Sequence, residues 1–257
     1  MPDPHVDWLE YELKVFSWKF DNPEPLTWCG RDFGLRLDEK GLLRVNMLTH
    51  FATVEEARRS VEPFLQTWEI SVTLSYGQHE LRFEFRKGHV IDRDPQPGIA
   101  RATTAHLILT VGAVVVAACE VVKAAYPPVP TNFEATPDVI SLCERFERYK
   151  GGRELTTSFA YFVLTVLEYR FDSRKNAAKA LSVDPKVLDA VGQLSTAHGD
   201  LTTARKLKRT IPLRPLTAEH VHWLDIALPL LIRRLGESAA GGSFPQLTMS
   251  QLPHVRL

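Results

Sequence analysis

Near the start of the chain, Leu9, Tyr11, Leu13 and Val15 alternate with Glu10, Glu12 and Lys14. A period of two marks a half-buried strand, because successive side chains leave a strand on opposite faces. The pattern predicts a strand over residues 8–20. Pro23 and Pro25 then interrupt it, since each removes a backbone donor. Short strands are expected over residues 33–37 and 42–48, joined by a turn that closes on Gly41. At Thr53 the period changes. Thr53 and Glu56 have capping-box spacing, and Val54, Ala57, Val61, Phe64, Leu65 and Trp68 share one helical face. Pro63 inside that run predicts a kink or an early end. Residues 70–74 and 81–85 alternate again on either side of a Tyr-Gly-Gln-His turn, which predicts a hairpin, and residues 90–98 read as a loop. Residues 1–98 therefore read as an α+β domain, an antiparallel sheet with one packed helix.

The pattern after residue 98 is helical. An apolar connecting helix is expected within residues 99–128, ended by Pro127 and Pro128. Its most apolar part, residues 107–122, carries Thr110, Gly112 and Glu120 and falls short of the roughly 20 residues of a membrane span. It is expected to be buried in protein, with no membrane partner. Residues 129–138 belong to a proline-rich stretch that reads as a stiff linker. Helices are expected over residues 139–149, 154–171, 176–181, 185–194, 201–208 and 218–237, the last capped by Thr217. Together they make an all-α C-terminal helical bundle over residues 139–238, followed by a flexible tail over 239–257. No internal repeat is visible.

Composition narrows the function classes. Lys plus Arg equals Asp plus Glu at 31 each, so no global field favours nucleic acid or an anionic surface. Any such contact must be a local patch. Three scattered cysteines, Cys29, Cys119 and Cys143, suit a reducing cytoplasm rather than a disulfide scaffold. Cys119 sits in the apolar run and is expected to be a buried thiol. The opening residues lack the basic-then-apolar pattern of a secretory signal. Phosphate-loop, dinucleotide-loop, nucleophile-elbow and zinc-protease motifs are missing, and no metal or cofactor is expected.

The most informative stretch is residues 174–209, two short helices across a tight turn followed by a basic run. Ala178 is a small residue within the first helix, and Ser182 stands where such turns usually carry glycine. Val183, Leu188 and Val191 lock the helices together, and Pro185 opens the second. Over about twenty residues this resembles a helix-turn-helix. The resemblance implies a DNA-reading second helix, yet that helix offers only Lys186, Asp189 and Gln193 for base edges. Phosphate contact is the expectation for Arg174, Lys175, Lys179 and Lys186, together with Arg205, Lys206, Lys208 and Arg209 downstream. The bland alternative is a helical corner with a solvated basic end.

Two catalytic readings stand beside these. Arg214 and His220, with five residues between them, resemble the arginine–histidine pair of HEPN-type ribonucleases, although Pro215 and the Thr217 cap interrupt the intervening helix. His198 reads as a turn residue, and His222 falls on a different helix face from His220. Glu84, Asp92 and Asp94 lie near a strand end, where metal-dependent nucleases place acids, but Glu84 also reads as the wet side of a strand and Asp92 and Asp94 as turn residues. Trp8, Trp18, Trp28 and Trp68 are expected to fill the core between helix and sheet, with an exposed pair marking a partner surface instead. The leading expectation is a cytoplasmic, non-catalytic interaction or regulatory module, with a protein partner and a nucleic-acid contact through the basic helical segment. A nucleic-acid-cleaving enzyme of a microbial defence system and a helix-turn-helix regulator are the alternatives.

Overall fold

Strand β1 (Pro4–Val15) is paired on both sides in the sheet of the protein's first half. The computed structural model describes residues 3–16, 18–77, 81–94, 121–196 and 215–256. The chain divides into two units, Met1–Pro130 and Thr131–Leu257. In the first, β1 pairs antiparallel with β5 (Leu42–Met47) on one side and β6 (Leu81–Asp92) on the other. β4 (Phe33–Leu37) and the short β3 (Leu26–Cys29) complete a five-stranded sheet in the order β3-β4-β5-β1-β6. Because β5 and β6 both oppose β1, they run in the same direction, and α1 (Val54–Tyr76) carries the chain between them. β2 (Trp18–Phe20) pairs in parallel with β7 (Val121–Lys123) outside that sheet.

The alternation along β1 does what period two demands. Leu9 and Tyr11 are buried with Leu43 and Val45 of β5 and Val61, Leu65 and Trp68 of α1, while Glu12 and Lys14 face outward. Each such fully buried large side chain contributes roughly 1.5–3 kcal/mol of transfer free energy. The predicted capping box is present: Thr53 Oγ1 accepts from the Glu56 amide and Glu56 returns the bond to the Thr53 amide, both at 3.3 Å.

The structure corrects the sequence reading in several places. Residues 70–74 are not a strand of a hairpin. α1 runs through Pro63 to Tyr76 and ends at Gly77, whose φ of 106° reverses the chain. β6 pairs instead with β1 along its whole length and extends to Asp92, so residues 90–92 are strand rather than loop. β3 forms directly after Pro25, as an edge strand whose lost donor costs nothing there. The expected apolar helix ends differently too: residues 121–123 are strand, and Tyr126 packs on Phe20 at 4.6 Å while its hydroxyl donates to the Asp38 carbonyl at 2.7 Å. The remainder of that expected helix, residues 101–120 with Cys119, lies outside the described residues.

The second unit is helical, as expected: α2 (Pro137–Lys150), α3 (Thr156–Arg170), α4 (Arg174–Ala180), α5 (Pro185–Thr196) and α6 (Ala218–Ala239). Trp223, Leu228, Phe159, Leu167 and Leu188 are buried in its interior. Phe133, in the proline-rich stretch, is buried against Gly236 of α6, and the Glu134 amide donates to the Gly236 carbonyl at 3.1 Å. The segment after α6, read from sequence as a flexible tail, folds back onto the helices. Leu247 is buried and forms a parallel bridge with Val183, and Leu252 is buried as well. The expected helix over residues 201–208 lies outside the described residues.

Candidate nucleic-acid interface

α4 and α5 meet in the expected tight turn. Ser173 caps α4 by accepting from the Asn176 amide at 3.2 Å. At the other end Ser182 has φ +47°, the left-handed conformation that glycine adopts most cheaply. The Val183 amide donates to the Ala178 carbonyl at 2.8 Å and the Ser182 amide to the Lys179 carbonyl at 3.3 Å. These are the two reversed bonds of a Schellman cap, and they set the angle at which α5 departs. The turn is also held from outside: the Leu247 amide donates to the Ser182 carbonyl and the Asp184 amide to the Leu247 carbonyl, both at 2.8 Å.

The basic residues at this corner divide into two groups. Arg174 is engaged: its Nε lies 2.8 Å from Glu168 and its Nη1 2.9 Å from Asp189. The guanidinium lies against Gly192, where an added Cβ would come within 2.9 Å. Burial disfavours its charge, but hydrogen bonds to Asp189 and Glu168 outweigh that and hold it above its ordinary value. Arg174 therefore braces α4 to α3 and α5. Lys175 and Lys179 are exposed one turn apart on α4, and Lys186 is exposed in the first turn of α5. Arg205, Lys206, Lys208 and Arg209 lie outside the described residues.

The outward stripe of α5 is narrow. Val187, Leu188, Ala190, Val191, Gly192, Leu194 and Ser195 are buried, leaving Lys186, Asp189 and Gln193 as the exposed polar side chains. Asp189, in the middle, is repulsive to phosphate and already bonded to Arg174. Such a helix has little with which to distinguish base pairs.

The two catalytic readings gain no geometry. His220 is the N3 residue of the α6 capping box, buried, with Nδ1 accepting from the Thr217 amide at 3.2 Å and Nε2 lying 2.8 Å from the Arg256 carbonyl. The ring is thereby oriented as a structural group, donating from Nε2. Arg214 and His198 lie outside the described residues, and His222 is exposed on another face of α6. On β6, Glu84 faces outward opposite Glu12, whereas Asp92 Oδ1 accepts from the Asp3 and Asp94 amides at 2.9 and 3.2 Å. Eight residues of strand put Glu84 and Asp92 roughly 25 Å apart. The acids are not brought together, and among the described residues no group of three or more His, Cys, Asp or Glu is placed to hold a metal ion.

The sequence reading misses one surface. The sheet face turned away from α1 carries Lys14, Arg36, Arg44, Arg82, Arg86 and Lys87 against Glu10, Glu12 and Glu84. Trp8 does not join Trp68 in the core. Its ring stands on this outer face, stacked on His89 at 5.3 Å with the Arg44 guanidinium 4.6 Å from its centroid. Trp28 is half-buried against Phe64 at 4.5 Å, and the Trp18 side chain lies outside the described residues. A visible signal exists: Arg86 and Lys87 are consecutive charges that break the alternation of β6.

No protein-family model matches the chain, and no curated protein or solved structure matches it either. No helix among the described residues is long and apolar enough to cross a membrane.

Proposed function

We propose that the protein is a non-catalytic interaction or regulatory module whose helical half touches the phosphates of nucleic acid. The observation that carries this reading is the exposed trio Lys175, Lys179 and Lys186 around the hydrogen-bonded α4–α5 turn. Lysines held on short, capped helices offer point charges at fixed spacing, which suits a phosphate backbone without demanding a sequence. The thin, acid-bearing stripe of α5 supports sequence-independent binding over base reading. A cytoplasmic setting belongs to the same proposal and is supported by the sparse, odd set of three cysteines, which does not suit a disulfide scaffold. A protein partner is also part of it, supported by Tyr169 of α3, which is 87% exposed.

The test is binding to a mixed-sequence duplex across a salt series. The wild-type protein should lose affinity steeply as salt rises, and K175A/K179A/K186A should flatten that slope by about 0.9 for each phosphate no longer neutralised. A slope that ignores the triple substitution would sink this reading.

A further inference from the structure

We infer that the outer face of the N-terminal sheet binds single-stranded nucleic acid, on a surface separate from the lysines of α4 and α5. Register sets the charges of this face in rows. Across the middle of the sheet, Arg36 of β4 lies opposite Arg44 of β5, Arg44 opposite Glu10 of β1, and Glu10 opposite Lys87 of β6. Neighbouring strands are about 4.8 Å apart, so this row sets cations across the strands at intervals a flexible phosphate chain can follow. Glu10 does not cancel the row. It is buried at 5% exposure beneath Arg44, at 3.7 Å, and Lys87, at 3.3 Å, and one carboxylate so placed orients both cations while leaving them in solvent.

The next row is different in kind. Gly34, Asn46, Trp8 and His89 follow one another across β4, β5, β1 and β6. Gly34 leaves a low floor, Asn46 presents an exposed amide, and Trp8 stands between Arg44 and His89 from the strands on either side. Arg44, Trp8 and His89 thus form a short pile of flat groups on a basic sheet. An unpaired base extends that pile by lying on the guanidinium or the imidazole, with its edge toward the Asn46 amide. A duplex has no free base faces to offer, and an acidic peptide would use the cations without the flat groups. Charge and planarity together select a single strand.

A second, independent observation is the bulge in β6. Tyr11 pairs with Phe85 and Glu10 with Lys87, so Arg86 is an extra residue with no partner opposite. Without it, strict alternation would drive either Arg86 or Lys87 against α1. With it, Arg86 reaches Glu12 and Lys87 reaches Glu10 on the same outer face. Bulges commonly re-aim side chains beside functional surfaces.

The experiment uses the full chain and fluorescein-labelled oligo-uridine and oligo-thymidine, with a mixed duplex for comparison, over a salt series. R36A/R44A should weaken single-strand binding by at least tenfold and reduce the salt slope by roughly 0.7 for each phosphate that goes without a cation. W8A should weaken it about tenfold, and W8F should restore most of the affinity because a flat ring remains. Melting temperatures should change little for R36A/R44A, whose side chains face solvent, so that variant decides the matter even if W8A folds poorly. The fold-loss caused by R36A/R44A should be the same in a K175A/K179A/K186A background, which distinguishes this face from the lysines of α4 and α5. No binding at low salt overturns the proposal, and so does binding that R36A/R44A leaves unchanged. Equal competition by inorganic polyphosphate at matched charge, with W8A behaving as wild type, overturns it in favour of a generic polyanion surface.

Discussion

Gly236 shows how much a single missing carbon can decide. It lies inside α6, where alanine ordinarily gains about 1 kcal/mol over glycine. Here an added Cβ would fall 2.2 Å from the Phe133 ring, so the ring occupies the space that glycine leaves. Gly236→Ala should therefore destabilise the protein by about 1–3 kcal/mol, as overpacked cores do, and urea denaturation will measure it. An unchanged or higher midpoint would mean that Phe133 is free to move aside. Some residue-level facts are legible in sequence, including Thr53 and Thr217 as caps and Ser182 as the turn. The role of His220 is not. Its spacing from Arg214 points to catalysis, because spacing along a chain cannot show that a cap and a distant carbonyl already engage both ring nitrogens.

Elements are legible when they have one wet and one dry side. β4 and β5 show clean alternation, and their sequence-based bounds fall within a residue of the observed ones. The strand expected over residues 8–20 is instead two: β1 begins at Pro4 and ends at Val15, and residues 18–20 pair elsewhere as β2. α1 reads too short because its last turns bury Ile70, Val72, Thr73 and Leu74 together, and burial on several sides erases the helical stripe. Ile70, Val72 and Leu74 then imitate a strand. Pro63 adds to the misreading, yet the helix passes through it with the Thr67 hydroxyl donating to the Pro63 carbonyl at 2.8 Å. Pro63 is exposed, so its ring packs little. Pro63→Ala should restore the missing amide donor and raise stability by on the order of 1–3 kcal/mol. Thermal melting will check this, and a lower melting temperature would show that the helix depends on the proline's geometry. The basic outer sheet face escapes the sequence for a related reason: cross-strand rows exist only once register is known, and the β6 bulge shifts that register.

At the scale of the whole molecule, the N-terminal unit carries a buried group that makes its stability depend on pH. His5, at the start of β1, is buried and stacked on His50 at 5.4 Å. Burial first, then Arg93 and His50, disfavours its imidazolium more than Asp7 and Asp3 favour it, so it titrates below its ordinary 6.5. A histidine held neutral by folding stabilises fully above its unfolded value, and that contribution fades as pH falls from there toward the folded value. The urea midpoint of the N-terminal unit should fall between about pH 7.5 and about pH 5.5, and His5→Gln should flatten the dependence. A midpoint flat over this window in the wild-type protein would contradict the assignment. The α4–α5 turn carries a consequence of another kind. Leu247 clasps Ser182 and Asp184 from far downstream. A chain emerging in order from the ribosome therefore makes the corner well before it makes the clasp, and the corner must wait, half-secured, while α6 is synthesised. During that interval Val183 and its neighbours are open to chaperones and proteases. The time of greatest exposure for this region is set by translation speed rather than by the stability of the finished fold.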